Sequence, residues 1–194
     1  SAIGLATNTT LDIDSPDYKW QDAGIVIKSE QGFNWNAIDP NFVLDKDGEP
    51  WLVFGSYWSG IKLIKLDAAT GLRSEEGVAL HSLAGRTAPG AVEAPFIIYR
   101  EPYYYLFVSF DQCCRGVDST YNIRVGRSES ITGTYLAKDD MPMEYGGGTL
   151  LREGSERWKG PGHSAIFTKE GQDYLVYHAY DAENQGRPTL RLEP

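Results

Sequence analysis

The sequence predicts an all-β protein of the β-propeller class, in which four-stranded antiparallel sheets stand radially around a central channel. Three observations favour this fold. A unit of similar pattern occurs three times within the 194 residues. Aromatic residues and glycine are abundant, with 12 Tyr, 5 Trp and 21 Gly, which is typical of strands joined by turns. Long stretches with helical periodicity are absent from the sequence.

The three units begin at Asp39, Ala94 and His163. Each opens with a short apolar segment and a turn, and continues with a second segment rich in Tyr, Trp, Phe, Leu and Val. A third segment alternates between apolar and polar residues, as in IKLIKL and NIRVGR. Because a period of two marks a strand with one buried face, each unit is predicted to be one propeller blade.

The blade pattern predicts that residues 1–194 form a single partial propeller domain. Residues 1–30 are predicted to end one blade, 31–90 and 91–155 to form two more, and 156–194 to form the last. This gives about three and a half blades, whereas propellers close with about four to eight. We therefore expect a preceding segment, or a second copy of the chain in a homo-oligomer, to complete the ring, because an open arc would expose a sheet edge.

Charge and cysteine content narrow the classes of partner. The net charge of −9 argues against nucleic acid and anionic membranes as partners. No apolar run approaches the roughly 18 residues that a membrane-spanning helix needs.

Cys113 and Cys114 are neighbours, so they cannot join distant segments. They are either two small buried thiols or a disulfide that shapes the loop, and a structural role near the pocket is favoured.

One polar residue precedes the first strand of each blade: Asp39, Glu93 and His163. Each has an ordinary structural explanation, as a strand cap, a solvated charge and a packed histidine respectively. Their repetition in register instead favours a shared site, because the first strand of a blade runs beside the channel. We therefore expect these side chains to converge on a pocket at one rim.

Two carboxyl groups around a pocket suggest glycoside hydrolysis, in which one acid protonates the leaving oxygen and a carboxylate activates water. We expect burial beside Phe96, and the like charge of Asp39, to keep Glu93 protonated. Aromatic side chains can stack on the apolar faces of sugars. Trp35, Trp58 and Phe110 are expected on loops near the rim and are candidates for this contact.

The chain resembles the arabinan-cleaving members of glycoside hydrolase family 43, a family of five-bladed propellers. The resemblance rests on NAIDP, GSYWSGI, VEAP, SFDQCCRG and GPGH, and it covers nearly the whole chain. It implies inverting hydrolysis of α-1,5-linked L-arabinofuranosyl bonds in arabinan or arabino-oligosaccharides. It also implies that Glu93 is the general acid and that Asp39 tunes the pKa of that acid and orients it.

The resemblance also indicates which blades of the five-bladed propeller this chain contains. It implies that residues 1–30 end the second blade and that the first blade and the front of the second are absent. The general base of the family lies in an HDP-like motif of the first blade, and no such motif precedes Asp39. The base is therefore expected from a missing N-terminal segment or from another chain.

Further contacts follow from the resemblance alone. It implies a calcium ion, or another ion, at His163 near the channel axis, although one histidine is a poor calcium site by itself. It implies a secreted bacterial enzyme. The residues expected to bind substrate are Asn36, Ile38, Ser56, Trp58, Phe110, Cys114 and Arg115.

Three alternatives to an arabinanase stay open. They are an exo-acting arabinofuranosidase, a β-xylosidase of the same family, and a truncated propeller that binds sugar without cleaving it. Loops that block one end of the groove would decide between endo and exo action. The absent base motif is the feature that supports the inactive alternative.

Overall fold

The computed structural model describes residues 1–75, 79–87 and 90–194. Its strands form four separate antiparallel sheets, each built from strands that follow one another in the chain. Helical structure in the described ranges is limited to three short 3-10 turns, Gly116–Asp118, Met143–Tyr145 and Ala182–Asn184. None of the described helical segments is long and apolar enough to cross a membrane. The predicted all-β architecture of stacked meandering blades is confirmed.

The first sheet has two strands, β1 (Ala2–Thr7) and β2 (Gln21–Lys28), paired antiparallel. Their buried apolar side chains, Ile3, Val26 and Ile27, face the second sheet. The register shifts at two places along this pair, so the ladder is irregular near its outer end.

The second and third sheets each have four strands. In the second sheet the strands are β3 (Asn41–Leu44), β4 (Pro50–Phe54), β5 (Ile61–Lys65) and β6 (His81–Ala84). In the third sheet they are β7 (Val92–Arg100), β8 (Tyr103–Phe110), β9 (Asn122–Ser128) and β10 (Thr149–Arg152). In both sheets each strand pairs with the next along the chain, which is the meander of a propeller blade.

The fourth sheet has three strands among the described residues: β11 (Trp158–Lys169), β12 (Gln172–Asp181) and β13 (Arg187–Glu193). Alternation is clear in β13, where Leu190 and Leu192 are exposed on one face. The 3-10 turn between β12 and β13 is capped by the carboxylate of Asp181, which accepts the N–H of Glu183.

The core lies between facing sheets, as expected for blades packed side by side. Three apolar clusters occupy the three gaps between the four sheets. Each fully buried aliphatic side chain contributes about 1.5–3 kcal/mol to folding. Representative pairs across the gaps are Ile27 and Phe54, Leu63 and Leu106, and Ile123 and Tyr177.

Candidate active site

The first strands of the last three sheets are β3, β7 and β11. Near the start of each lies one residue with the same positive-φ backbone conformation. Asp39, Ala94 and His163 have φ values of 54°, 54° and 49°. Asp39 lies just before β3, while Ala94 and His163 lie at register shifts within β7 and β11. Asp39 and His163 are therefore equivalent in backbone terms, but Glu93 precedes the equivalent position by one residue. The sequence prediction that placed Glu93 in register was wrong by this single step, because the residue that matches Asp39 before a proline is Ala94.

Hydroxyl groups hold both carboxylate oxygens of Glu93. Ser56 donates from Oγ to Oε2 at 2.8 Å, and Tyr121 donates from Oη to Oε1 at 2.7 Å. Ser56 follows β4 and bridges to Glu93 across the gap between the second and third sheets. Ser56 and Tyr121 are only 3% and 2% exposed, so water competes little for these bonds. The Glu93 side chain is half-buried and is fixed from two sides.

Tyr121 is packed so closely that its neighbour must be glycine. A Cβ atom on Gly162 would overlap the Tyr121 ring. The ring of His178 lies 5.9 Å from the Tyr121 ring, centroid to centroid. Burial, followed by the negative charge of Glu93, raises the pKa of Tyr121 well above its usual range, and a hydrogen bond from Ser109 opposes this. Tyr121 is therefore a neutral hydrogen-bond donor at any ordinary pH.

Asp39 supports the backbone beside Glu93. Its Oδ2 accepts the N–H of Ala94 at 3.2 Å. Burial raises the pKa of Asp39, and the charge of Glu93 raises it further. The charge of His163 and the Ala94 N–H act in the opposite direction. Asp39, Glu93 and His163 are thus close enough to interact electrostatically, as the prediction of converging side chains requires.

His163 was tested for its fit to calcium. Its side chain is exposed, and its backbone N–H donates to Ser109 Oγ at 2.8 Å. Among the described residues no group of three His, Cys, Asp or Glu side chains could hold a metal ion. Calcium takes six to eight oxygen ligands, so the protein donors here do not form a calcium site by themselves. The ion at His163 stays a prediction.

The three aromatic candidates differ in exposure. Trp58 is 66% exposed and follows Ser56 by two residues, so its ring is available to a ligand near Glu93. Trp35 instead packs on Phe54, with ring centroids 5.7 Å apart. Phe110 is the last residue of β8 rather than part of a loop, and it is 4% exposed. The guanidinium of Arg86 lies 4.4 Å from the centre of the Phe110 ring, so Phe110 is not an open stacking surface for a sugar.

Asn36 and Ile38 contact the segment that carries Ser56. The Asn36 amide donates to the Ser56 carbonyl at 3.0 Å, and the Ile38 carbonyl accepts the N–H of Gly55 at 2.9 Å. Both contacts fix the chain at the end of β4, where Ser56 reaches Glu93. Ile38 is also 37% exposed, so part of its side chain remains free to meet a ligand.

Cys113 and Cys114 form a disulfide between adjacent residues, which decides between the two alternatives left open by the sequence. The N–H of Cys114 donates to the hydroxyl of Tyr180 at 2.8 Å, which ties this loop to the fourth sheet. Cys114 and Arg115 are exposed. Their role as substrate contacts stays a prediction.

Sequence reasoning missed the polar residues behind the site. Ser109 and Tyr121 were not singled out, although Ser109 matches Ser56 in the pattern VFGS and LFVS. That repeat was the available signal for Ser109. The ion pair between Arg86 and Asp111, at 2.8 Å, joins segments 25 residues apart, and no sequence pattern indicated it.

The chain is a partial β-propeller in which Asp39 and Glu93 lie where the first strands of two successive sheets begin. Residues 2–193 match the family model described as glycosyl hydrolases family 43. The chain belongs to this family, whose arabinanases are five-bladed propellers. The fold class predicted from the sequence is therefore confirmed, with part of the propeller present in this chain.

Two curated relatives are similar over 99% of the chain. The extracellular endo-α-(1→5)-L-arabinanase 1 of Bacillus subtilis is 51% identical over 193 residues, which are 57% of that protein. The extracellular exo-α-(1→5)-L-arabinofuranosidase ArbA of Cellvibrio japonicus is 46% identical over 204 residues, which are 58% of that protein. The chain therefore spans somewhat more than half the length of these relatives.

Two solved structures are similar across the fold. The α-L-arabinanase of Cellvibrio cellulosa complexed with arabinohexaose has a TM-score of 0.92 and 44% identity. The match covers 98% of this chain and 64% of that one. The family 43 endo-arabinanase of Bacillus licheniformis has a TM-score of 0.90 and 51% identity, covering 99% of this chain and 63% of that one.

Proposed function

We propose that this protein hydrolyses α-1,5-linked L-arabinofuranosyl bonds of arabinan with inversion, and that Glu93 is the general acid. The observation that carries the proposal is the carboxyl of Glu93, held at both oxygens by Ser56 and Tyr121 in a family 43 propeller. A carboxyl fixed in this way cannot swing away from the bond that it must protonate. Such fixed orientation is a large part of what general acid catalysis requires.

Asp39 is proposed to orient the acid through the backbone. Its carboxylate accepts the N–H of Ala94, the residue that follows Glu93. The start of β7 is thereby tied to the second sheet, and the direction in which Glu93 projects is set.

Inversion needs a second carboxylate, which activates a water on the opposite face of the sugar. The two carboxyl groups of such enzymes lie about 6.5–9.5 Å apart to leave room for that water. The family resemblance assigns this base to a motif that the 194 residues do not contain. We therefore propose that a preceding segment or another chain supplies it.

The substrate class is supported by the two curated relatives, whose names both give an α-(1→5)-L linkage, and by the similar α-L-arabinanase that was solved with arabinohexaose. Trp58 is the proposed stacking platform, because its ring is exposed and it lies two residues after Ser56, which hydrogen-bonds to Glu93. Secretion is proposed because both curated relatives are named extracellular. Exo action is a second candidate, since one of these relatives is an exo-acting arabinofuranosidase.

The test compares Glu93→Gln with Glu101→Gln in the full-length protein. Glu101 is exposed in the turn between β7 and β8, so it is a matched control. We expect Glu93→Gln to lower kcat on linear arabinan by roughly 10²–10⁴-fold while arabino-oligosaccharide still binds in calorimetry. Glu101→Gln should leave kcat unchanged.

Three results would contradict the proposal. Near wild-type turnover of unactivated arabinan by Glu93→Gln would remove Glu93 as the acid. Preferential cleavage of xylan by the wild-type protein would overturn the substrate. Binding of arabino-oligosaccharides with no turnover by the wild-type protein would favour a sugar-binding propeller instead. Viscosity loss measured against the release of arabinose separates endo from exo action.

A further inference from the structure

The turn that carries Trp58, residues 55–60, has an unusual backbone. Four of its six residues have a positive φ, namely Gly55, Tyr57, Trp58 and Gly60. Tyr57 and Trp58, at 55° and 53°, lie in the left-handed region, which bulky side chains rarely adopt. Such a conformation persists only where the surrounding structure imposes it. The contacts of this Trp58 turn therefore identify what holds Trp58 in place.

The first half of the Trp58 turn is tied to segments beside the proposed acid. The N–H of Gly55 donates to the carbonyl of Ile38 at 2.9 Å. The N–H of Tyr57 donates to the carbonyl of Val92, the residue before Glu93, also at 2.9 Å. These bonds fix the chain up to Tyr57, so the half that follows Trp58 depends on other contacts.

The second half of the turn is held through the backbone of Ser59. Its N–H donates to the carbonyl of Asn34 at 2.8 Å, and its carbonyl accepts a hydrogen from Lys62 Nζ at 2.7 Å. A carbonyl can only accept, so the bond from Lys62 has one direction. The buried Ser59 hydroxyl has no hydrogen-bond partner in the described ranges. The backbone bonds, including the one from Lys62, therefore fix Ser59.

Lys62 is unusually buried for a lysine. It lies in β5 and is only 4% exposed. Its Nζ also donates to Ser82 Oγ at 2.8 Å, and it forms no ion pair within the described part of the chain. Burial lowers the pKa of Lys62, and the charge of Glu144 acts in the opposite direction. Because burying an unpaired ammonium is costly, its contact with the Ser59 carbonyl explains this residue better than packing does.

We infer that Lys62 is a positioning residue for substrate binding, which holds the Trp58 turn so that the indole ring is presented to arabinan; this rests on the proposed role of Trp58 as stacking platform. The Trp58 side chain is 66% exposed, so packing does little to fix its ring. The backbone of the turn must do so instead. A ring that is held in advance loses less conformational freedom when a sugar binds, which favours affinity.

Loss of the Lys62 contact should weaken binding more than catalysis. Ser56, which hydrogen-bonds to Glu93, lies in the first half of the turn, and its carbonyl accepts from the Asn36 amide at 3.0 Å. The bridge between Ser56 and Glu93 involves neither Ser59 nor Lys62. The acid therefore keeps its partner when the second half loosens. A raised KM with kcat unchanged is the pattern of an interaction lost equally from the bound substrate and the transition state.

The test is Lys62→Met, which keeps most of the side-chain length and removes the amine, with Lys65→Met as the matched control in the full-length protein. Lys65 ends the same strand, and its Nζ pairs with Glu49 at 2.7 Å. Each substitution is made in the wild type and in Trp58→Ala, and kcat and KM are measured on linear arabinan. Calorimetry with an arabino-oligosaccharide gives Kd for the same variants, so binding is measured even without cleavage. Ser82→Ala removes the other partner of Lys62 and decides the question if Lys62→Met does not fold.

We expect Lys62→Met to raise KM and Kd roughly 2–5-fold, a part of what a stacked ring contributes, with kcat within about twofold. Ser82→Ala should raise them roughly 1.5–3-fold, because Lys62 loses one of its two bonds. Lys65→Met should match the wild type. In the Trp58→Ala background, Lys62→Met should change KM less than about 1.5-fold, because two residues that act through one contact are not additive.

The outcomes separate this inference from the proposed function. If the wild type binds arabino-oligosaccharide without cleaving arabinan, the proposed reaction fails, and the Kd values still test Lys62. If Trp58→Ala leaves KM and Kd unchanged, Trp58 is not the platform and Lys62 cannot act through it. If Trp58→Ala weakens binding but Lys62→Met, or Ser82→Ala where Lys62→Met does not fold, behaves like Lys65→Met, only the positioning role is wrong.

Two further results would overturn the positioning role of Lys62. An equal rise of KM from Lys62→Met with and without Trp58 would mean that Lys62 acts independently of the ring. A fall in kcat with KM unchanged would mean that Lys62 supports the acid rather than the platform. Both results are distinguishable from a general loss of stability, because the melting temperature of each variant is measured beside its kinetics.

Discussion

Replacing Gly162 with alanine should displace Tyr121 and loosen the proposed acid without touching either residue directly. The backbone of Gly162 does not adopt a positive φ, so alanine is not excluded by conformation. The obstacle is space alone, because the new methyl group would overlap the Tyr121 ring. The ring has little room to retreat, since His178 lies close by and the hydroxyl is bonded to Glu93.

The magnitude follows from two opposing terms. Overpacking a buried site by one methyl group costs about 1–3 kcal/mol, while replacing glycine by alanine stabilises by about 0.4–1 kcal/mol through the unfolded chain. Because the overlap with the Tyr121 ring is severe, the overpacking term should lie at about 2–3 kcal/mol, and the net loss in free energy of unfolding should be about 1–2.6 kcal/mol. For a chain of 150–250 residues, each kcal/mol lowers Tm by about 2–4 °C, so Tm should fall by about 2–10 °C.

Calorimetry of Gly162→Ala beside Gly4→Ala provides the measurement. Gly4 lies in β1 without a positive φ, and a Cβ there meets only the Gly24 carbonyl oxygen at 3.4 Å. Gly4→Ala should therefore leave Tm unchanged or raise it. We also expect Gly162→Ala to lower kcat on arabinan, because a displaced Tyr121 hydroxyl would no longer hold Oε1 of Glu93. A Gly162→Ala protein with wild-type Tm and kcat would show that Tyr121 is not held by packing, and the reasoning would be refuted.

Two further predictions concern Trp58 and Asp39. Trp58→Ala should raise KM on arabinan roughly 2–10-fold, since stacking contributes about 0.5–1.5 kcal/mol, and should leave Tm unchanged because the side chain is 66% exposed; an unchanged KM would remove Trp58 from the substrate site. Burial raises the pKa of Asp39 above its unfolded value, so its protonated form favours folding and that stability is lost as pH rises through the folded pKa. The free energies of unfolding of the wild type and of Asp39→Asn should therefore be compared by denaturation at about pH 3 and about pH 7. Relative to the wild type, Asp39→Asn should be more stable at pH 7 than at pH 3. A change in the opposite direction would contradict the raised pKa of Asp39.

Strand patterns were readable from the sequence because blade strands bury one face. The IKLIKL segment became β5 and the NIRVGR segment became most of β9. The strands were therefore predicted, but β5 is buried on both faces from Ile61 to Ile64, so the single buried face expected for it was wrong. The turns between strands were equally plain, since DKDGEP and KEGQD carry the glycine and aspartate that tight turns favour. These patterns depend only on residues that are close in the sequence, so they can be recognised without knowing which blades pack against each strand.

Contacts between distant segments were not readable in this way. Phe110 was predicted to be a rim platform because it is aromatic and ends an apolar run, but Arg86 covers one face of its ring from 24 positions away in the sequence. Tyr121 was passed over because its position before β9 says nothing about where its hydroxyl points. Packing partners that meet only in the folded state decide whether an aromatic ring is a platform, a core residue or a donor.

The one-residue offset of Glu93 explains why equivalent positions of successive blades do different work. Where φ is positive, Asp39 presents a carboxylate that holds the next blade, Ala94 presents only its N–H, and His163 presents an N–H to Ser109. This shared position is therefore used for contacts between blades. Glu93 lies one residue earlier, and its side chain contacts the hydroxyl groups of Ser56 and Tyr121. The position with positive φ thus serves contacts between blades, and the carboxyl of the proposed acid occupies the adjacent position.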